Sequence, residues 1–215
     1  MIISRGRQYI FVHIPKTGGT SLSLALEARA KADDILIGDT PKSVRRRGRI
    51  KALQGSGKLW KHSGLADVHG VVTDAEMSGF FVVTLVRNPW DRLVSYYHWL
   101  GEQNWKHRAV DLAKSLTFDD FLGHPEIQAS FDSGYYASYV TDQNGREHCD
   151  LFVRLENMSK DIRPFEDHLG FRLGAIERVN TSPRRADYRS YYTDDTAALV
   201  ARFCAKDIKR FGYSF

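Results

Sequence analysis

Three short apolar runs along the chain have the composition of buried β-strands. Residues 8–13, 80–86 and 151–155 are rich in branched and aromatic side chains and show little alternation of apolar and polar positions. Such an unbroken run is typical of a strand that is buried on both faces, as in a parallel sheet covered by helices. The pattern therefore predicts strands of a buried, mainly parallel sheet.

Between and after these runs, apolar residues recur at spacings of three and four, which is the period of an amphipathic helix. We predict helices over 20–31, from Pro89 onward, near 105–115 and 117–122, over 159–169 with a bend or restart at Pro164, and over 194–211. A short helix is expected over 63–72, and the glycine-rich, basic residues 38–58 are expected to form a loop. Strands separated by helices predict an α/β fold.

Length and composition limit the class of protein. The chain has 215 residues, of which 42% are apolar and 27% are charged, as in a single globular domain over 1–215. No apolar stretch approaches the roughly 20 residues that span a bilayer, and the first residues lack the features of a signal peptide. We therefore expect a cytoplasmic protein without stable membrane insertion; the sequence carries no signal for an oligomeric state.

The net charge of +5 favours anionic partners. No helix-turn-helix, zinc-finger or aromatic RNA-binding signature is present, so we expect no nucleic-acid partner. Part of the positive charge is local, because six basic residues crowd into ten positions: Lys42, Arg45, Arg46, Arg47, Arg49 and Lys51. This run is either a solvated loop or a rim that attracts an anionic substrate.

The stretch HIPKTGGTS, residues 13–21, joins the first predicted strand to the first predicted helix. Backbone N–H groups at the start of a helix, together with the helix dipole, form an anion site. The candidate ligands are Lys16, Thr17, Gly18, Gly19, Thr20 and Ser21. In a Walker A loop the lysine follows the second conserved glycine, whereas here it precedes both. No apolar strand ends in an acidic magnesium ligand, so we predict a phosphate site without a metal ion.

A second stretch, RNPWDRLVS, covers residues 87–95 and begins where the strongest predicted strand ends. Ligands of open α/β sheets bind at that end of the strands. A guanidinium of Arg87 together with the hydroxyl of Ser95 is a suitable holder for a second phosphate. The alternative is that Arg87 forms a structural salt bridge and Ser95 lies on the surface of the helix.

Together, PKTGGTS and RNPWDRLVS resemble the two donor-binding motifs of the sulfotransferase superfamily. The resemblance is greatest to the carbohydrate sulfotransferases of the heparan-sulfate 2-O- and chondroitin-type branch and their small bacterial relatives, and it extends to FVRLENM (152–158) and to the tail 191–215. It implies a P-loop-like, three-layer α/β fold that binds 3′-phosphoadenosine 5′-phosphosulfate (PAPS; product PAP) without a metal ion. The first motif would hold the 5′-phosphosulfate, and Arg87 with Ser95 the 3′-phosphate.

The resemblance also implies the catalytic roles. Lys16 would neutralise the leaving phosphate oxygen, and a histidine upstream of the second motif would be the general base, for which His62 is the best positional match. His69 is the next candidate, and the acidic alternatives are Asp67, Asp74 and Glu76. His13 is expected to be structural. A third contact to the 3′-phosphate is sought among Arg184, Arg185, Tyr188 and Arg189.

The function predicted is transfer of a sulfuryl group from PAPS to a hydroxyl of a carbohydrate or glycoconjugate acceptor by in-line displacement. Catalysis would rest on positioning and on stabilisation of charge, with a contribution from the general base. Two other functions remain open from the sequence: a P-loop-type small-molecule kinase, and a non-catalytic module that binds anionic glycans.

Overall fold

The centre of the fold is a five-stranded sheet in which the predicted apolar runs lie side by side. The computed structural model describes residues 1–176, 179 and 184–215. Within them the strands are β1 (Ile2–Ser4), β2 (Tyr9–Val12), β3 (Ile35–Leu36), β4 (Phe81–Val86) and β5 (Leu151–Arg154). Their order is β3-β1-β2-β4-β5, and β4 is parallel to both β2 and β5. Only β1 runs against the others, so the mostly parallel sheet is confirmed.

Helices occupy about half of the remaining described chain. They are α1 (Gly19–Ala28), α2 (Pro41–Ile50), α3 (Asp74–Gly79), α4 (Pro89–Gly101), α5 (Arg108–Ser115), α6 (Phe118–Gly123), α7 (Pro125–Ser133), α8 (Tyr136–Tyr139), α9 (Met158–Asp161), α10 (Arg163–Leu169), α11 (Asp194–Phe203) and α12 (Ala205–Phe211). The helix predicted over 159–169 is divided into α9 and α10, and Pro164 lies in the first turn of α10, so the predicted restart at Pro164 is confirmed. The predicted terminal helix is two helices that meet at Cys204. A bilayer-crossing helix, which needs length together with an apolar surface, is absent from the residues that the structure describes.

Two predictions between residues 38 and 72 were wrong. The expected loop contains α2, because Thr40 caps its first turn by accepting the N–H of Ser43, Pro41 suits the first helical position, and arginine and lysine are good helix formers. The helix expected over 63–72 is reduced to a single 3₁₀ turn, Ala66–Val68. Gly70 follows with φ of 93°, a left-handed conformation that ends the turn.

The chain divides into two compact units. We call residues 1–86 with 136–180 the sheet unit, and residues 87–135 with 181–215 the helical unit. In the sheet unit, alternate residues of β2 enter two apolar clusters on opposite faces of the sheet. Leu22 of α1 and Phe165 of α10 fill one cluster, and Val68 and Met77 belong to the other. The single domain over 1–215 stays a prediction.

The helical unit has its own core. Helices α4, α5, α6, α7 and α11 contribute apolar side chains to one cluster, which includes Trp90, Leu93 and Phe121. The indole N–H of Trp90 is buried and donates to the backbone oxygen of Ala197 at 3.0 Å. The apolar face of α4, the helix that carries the second motif, packs into this core. Its polar face is left for other contacts.

Candidate active site

The turn between β2 and α1 has the backbone of an anion cradle, and we use "the cradle" for residues 16–21. Lys16 adopts a left-handed conformation with φ of 64°, and Gly18, the N-cap of α1, has φ of 88°. Left-handed residues before a helix turn neighbouring N–H groups to one side, which is the geometry of an anion-binding nest. A lysine in this conformation is uncommon, and such strain concentrates at functional sites.

The two glycines of the cradle are also required by close contacts. A Cβ atom on Gly18 would lie 2.6 Å from Cδ1 of Leu155, and one on Gly19 would lie 2.1 Å from Cδ2 of His13. Real side chains do not approach this closely, so a larger residue at either position would displace its neighbour. Leu155 belongs to the FVRLENM stretch, which therefore packs directly against the cradle. His13 lies against the first turn of α1.

The hydroxyl groups of the cradle have different uses. Thr17 is fully buried, and its hydroxyl donates to the backbone oxygen of Ile14 at 2.9 Å. In the described conformation this hydroxyl is therefore donated within the turn, and the place of Thr17 among the phosphate ligands stays a prediction. The Ser21 oxygen accepts the N–H of Val179 at 3.2 Å, so its own hydrogen can still be donated. Thr20 is half-buried in the first turn of α1.

A cavity of about 690 Å³ adjoins the cradle within the sheet unit. Ser21 is part of its lining, as is Leu155, which contacts Gly18. Apolar side chains form one part of the wall, and polar or charged side chains form at least as large a part; the lining includes Met158, Ile162, Ile176, Glu156, Ser159, Arg163, Glu166 and Arg172. A concave site that combines apolar walls with convergent polar groups is suited to a ligand.

The structure places His62 beside His13, whose ring in turn adjoins Gly19 of the cradle. The Nδ1 atom of His62 lies 2.7 Å from the backbone oxygen of His13, and the two imidazole rings pack edge to face with centroids 4.7 Å apart. Because a carbonyl oxygen only accepts, Nδ1 of His62 carries the hydrogen and Nε2 keeps a lone pair. The backbone of His13, expected to be structural, therefore also orients His62.

The same surroundings keep His62 neutral. Burial lowers its pKa to about 4; the hydrogen bond to the His13 carbonyl opposes this shift and the nearby Lys61 adds to it. At neutral pH the imidazole is thus in the form that can accept a proton. Burial also lowers the pKa of His13 well below its usual range.

The other candidates for the general base have contacts of their own. Nε2 of His69 lies 3.5 Å from a carboxylate oxygen of Asp74. Asp67 accepts a backbone N–H within its own loop at 2.8 Å. Glu76 closes the capping box of α3 and pairs with Arg5 at 2.5 Å, and the bond to Arg5 lowers its pKa to about 2. These contacts give each residue a structural task and favour His62.

In the helical unit, Arg87 belongs to a group that we call the arginine cluster: Arg87, Asp91, Ser95 and Arg184. Arg87 Nη2 lies 2.7 Å from Asp91 Oδ2, and Arg184 Nη2 donates to Asp91 Oδ1 at 2.7 Å. The side chains of Arg87, Asp91 and Arg184 are only 11, 19 and 15% exposed. Two guanidinium groups thus share one carboxylate, which leaves an excess of positive charge in a largely buried place.

The salt bridge of Arg87, which the sequence offered as an alternative to phosphate binding, exists. Asp91 holds the guanidinium in one orientation. Ser95 is buried and lies one turn beyond Asp91 on the same face of α4. Arg87 and Ser95 thus stand four positions before and after Asp91, and their joint role as a phosphate site stays a prediction.

The sequence does not distinguish the four candidates for a third phosphate contact, but their surroundings in the structure differ. Arg184 joins Asp91 across 93 positions of sequence. Arg185 instead lies over the ring of Tyr191 at 4.3 Å, and Arg189 lies over that of Tyr188 at 4.8 Å. The spacing of four between Arg87 and Asp91 is a local signal for their pair, but no local signal links either residue to Arg184.

The basic run on α2 also divides into two groups. Three of its side chains donate to backbone oxygens at the end of α1 and just after it: Lys42 to Glu27, Arg46 to Lys31, and Arg49 to Ala32. Their spacing places them on one face of the helix. Arg45, Arg47 and Lys51 are exposed, so half of the run stabilises the fold and the other half faces solvent.

Residues 1–214 match the sequence model of the sulfotransferase family. The chain belongs to this family. It is therefore a PAPS-dependent sulfotransferase, as the paired motifs predicted. A comparison with curated protein sequences gives no significant match.

Among solved structures, the sulfotransferase resembles the crystal structure of mouse sulfotransferase SULT7A1 complexed with PAP. The TM-score is 0.58 at 16% sequence identity, over 97% of this chain and 87% of the mouse chain. At this identity the similarity shows the fold, and it confirms the P-loop-like α/β architecture. The heparan-sulfate 2-O- and chondroitin-type branch stays a prediction.

Proposed function

We propose that this sulfotransferase transfers the sulfuryl group of PAPS to a hydroxyl of a carbohydrate or glycoconjugate by in-line displacement. The observation that carries the proposal is the cradle, with its left-handed lysine and two closely packed glycines, together with His62, which is held on the His13 carbonyl in the same sheet unit. When bound, PAPS supplies the activated sulfuryl group.

The cradle fits the 5′-phosphosulfate. Backbone N–H groups at the start of α1 and the left-handed residues before it suit oxyanions. The hydroxyls of Thr20 and Ser21 add donors, while that of Thr17 is used within the turn. Gly18 and Gly19 carry no side chain of their own between the backbone N–H groups and a ligand. We assign the cavity beside Ser21 and Leu155 to the nucleoside, whose flat base suits the apolar part of its wall and whose polar groups suit the interspersed polar side chains.

The arginine cluster fits the 3′-phosphate. Arg87 and Arg184 supply fixed guanidinium donors, Ser95 supplies a hydroxyl, and the single carboxylate of Asp91 leaves the group with excess positive charge. This is the phosphate that distinguishes PAPS from ATP, which motivates a test with nucleotides that differ at that position.

Two residues of the cradle region carry the chemistry in this proposal. Lys16 places positive charge where the leaving phosphate oxygen gains negative charge, and stabilisation of this kind is effective because the group is held in advance. His62 takes the proton of the attacking hydroxyl at Nε2, while its Nδ1–H stays bonded to the His13 carbonyl. That bond fixes the tautomer and the direction of the ring.

The acceptor side is proposed from the surroundings of His62. Trp60 is 45% exposed, and its ring lies edge to face with that of His62 at 5.0 Å between centroids. An exposed indole beside the base is a suitable platform for a sugar ring. Lys58 lies 5.5 Å above the Trp60 ring, and with the exposed Arg45, Arg47 and Lys51 of α2 it favours an acceptor that carries negative charge.

Calorimetric titration with PAP, in the absence of magnesium, tests the donor assignment. We expect PAP to bind much more tightly than 5′-AMP or ATP, and the difference between PAP and 5′-AMP to be lost in Arg87→Ala. Binding of ATP with magnesium in preference to PAP would contradict the proposal.

A kinetic comparison tests the acceptor side. Trp60→Ala should raise the KM for a sulfated or carboxylated oligosaccharide acceptor by about tenfold, with the Kd for PAP unchanged. Trp105→Ala is the matched control, because Trp105 is equally exposed but lies in the helical unit. An unchanged KM in Trp60→Ala would remove the sugar platform from the proposal.

A further inference from the structure

Beyond Ser95, the polar face of α4 continues to His98. Asp91, Ser95 and His98 follow one another at spacings of four and three, so they lie on one side of the helix. The segment that carries Arg184 packs along the same side: Arg184 binds Asp91, and the Tyr191 ring meets the His98 ring edge to face at 5.1 Å. All of these residues belong to the helical unit.

Two polar atoms in this group are buried without a hydrogen-bond partner among the described residues. They are Nε2 of His98 and Nη1 of Arg184. Buried polar atoms nearly always have partners, and an unsatisfied one in a native fold calls for an explanation such as a bound ion or ligand. Besides burial, the positive charge of Arg184 acts on His98 and contributes to the lowering of its pKa.

The charges around His98 indicate what kind of ligand would satisfy both atoms. Arg184 and Arg185 are positive, Glu102 is negative, and the rings of Tyr97 and Tyr191 pack against the imidazole. Burial, followed by the positive charge of Arg184, lowers the pKa of His98. A guanidinium nitrogen only donates, and neutral imidazole can place its hydrogen on Nε2. An anion with several oxygen atoms can accept from both.

We propose that Nε2 of His98 is a further ligand of the 3′-phosphate, beside Arg87, Ser95 and Arg184. The inference rests on the proposed function, because it assigns one more residue to the same phosphate. A phosphate monoester presents three terminal oxygens, enough to accept from the two guanidinium groups, the serine hydroxyl and the imidazole N–H. Its negative charge would also oppose the excess positive charge of the arginine cluster.

The test measures how much the 3′-phosphate adds to binding. Kd values for PAP and 5′-AMP are determined by calorimetry for the wild type, His98→Leu and His98→Gln, with thermal unfolding recorded for each. Leucine keeps bulk but donates nothing, whereas the side-chain amide of glutamine can donate from about the position of Nε2. We expect His98→Leu to weaken PAP binding about tenfold or more, to leave 5′-AMP binding unchanged, and to be partly rescued in His98→Gln.

Histidine side-chain NMR of the wild type gives a second measurement, which remains possible even if His98→Leu does not fold. The His98 Nε2 resonance, identified by its absence in His98→Gln, should shift on addition of PAP and not of 5′-AMP. If His98→Leu keeps the full difference between PAP and 5′-AMP while Arg87→Ala loses it, or if the resonance does not respond, the inference is overturned and the proposed function stands. If the wild type binds PAP no better than 5′-AMP, the proposed function fails and the inference fails with it.

Discussion

The cradle and the arginine cluster prepare for an anion in different ways. The cradle relies on the backbone: Lys16 and Gly18 are left-handed, and its glycines stand against Leu155 and His13. The arginine cluster relies on side chains, because Asp91 holds the guanidinium groups of Arg87, four positions away, and of Arg184, 93 positions away. The cradle is therefore set by local conformation and is sensitive to the volume of its residues, whereas the arginine cluster is set by charge and is sensitive to donor geometry.

The largest effect is expected at Lys16. Lys16→Ala removes the ammonium group that would stabilise the negative charge on the leaving oxygen. We expect turnover to fall by about 10²- to 10³-fold in an assay of PAP release. Lys209→Ala, an exposed lysine of α12, is the matched control. The folded structure should survive, since Lys16 belongs to a ligand loop. Turnover close to that of the wild type would contradict the role of Lys16 in the mechanism.

The next largest effect is expected when a glycine of the cradle is replaced, because the cradle depends on its backbone conformation. In Gly19→Ala the new Cβ would lie 2.1 Å from the His13 ring, and the forced shift should lower the free energy of unfolding by about 1–3 kcal/mol, as measured by urea denaturation. PAP binding should weaken as well, because the start of α1 moves. Gly101→Ala is the control: nothing lies within 4 Å of its Cβ, so its stability should be unchanged or higher. Equal behaviour of the two variants would show that the cradle tolerates volume.

A smaller effect tests the geometry of the arginine cluster. Arg87→Lys keeps the charge but loses the planar guanidinium, so we expect PAP to bind about tenfold more weakly while the Kd of 5′-AMP stays the same. The comparison uses calorimetry at one ionic strength. If both nucleotides lose affinity equally, Arg87 does not act on the 3′-phosphate.

The smallest effect concerns pH. The pKa of His62 is about 4 in the folded chain against an ordinary value of 6.5. Between these values the unfolded chain binds more protons, so the free energy of unfolding should decrease as pH falls from 6.5 towards 4. His62→Gln should reduce this slope in thermal unfolding, and the remainder is expected from His13, whose pKa is also lowered by burial. A slope identical to that of the wild type would show that His62 is not held neutral by the fold.

Local sequence was sufficient for the elements whose cause is local. The apolar run at 80–86 became β4 between two parallel neighbours, and the glycines after β2 became the cradle. The loop predicted for the basic run was wrong, because the cap of Thr40 and the helix propensity of arginine outweigh its charge and its glycine content. Some cations of this run bind backbone oxygens and others face solvent. Which of them do so depends on the position of the end of α1, which the spacing of the basic residues alone does not predict.

Periodicity, turn chemistry and motif spacing act over a few residues, and they were enough to predict the family, the strands and the residue types at both predicted phosphate sites. The bond of His62 to the His13 carbonyl, 49 positions away, and the sharing of Asp91 with Arg184 are visible only in the folded chain. The same holds for the bond that the Thr17 hydroxyl donates within its turn. Such contacts join residues that are far apart in sequence, so they depend on how the whole chain folds around its cores. A motif predicts only the conformation of its own few residues.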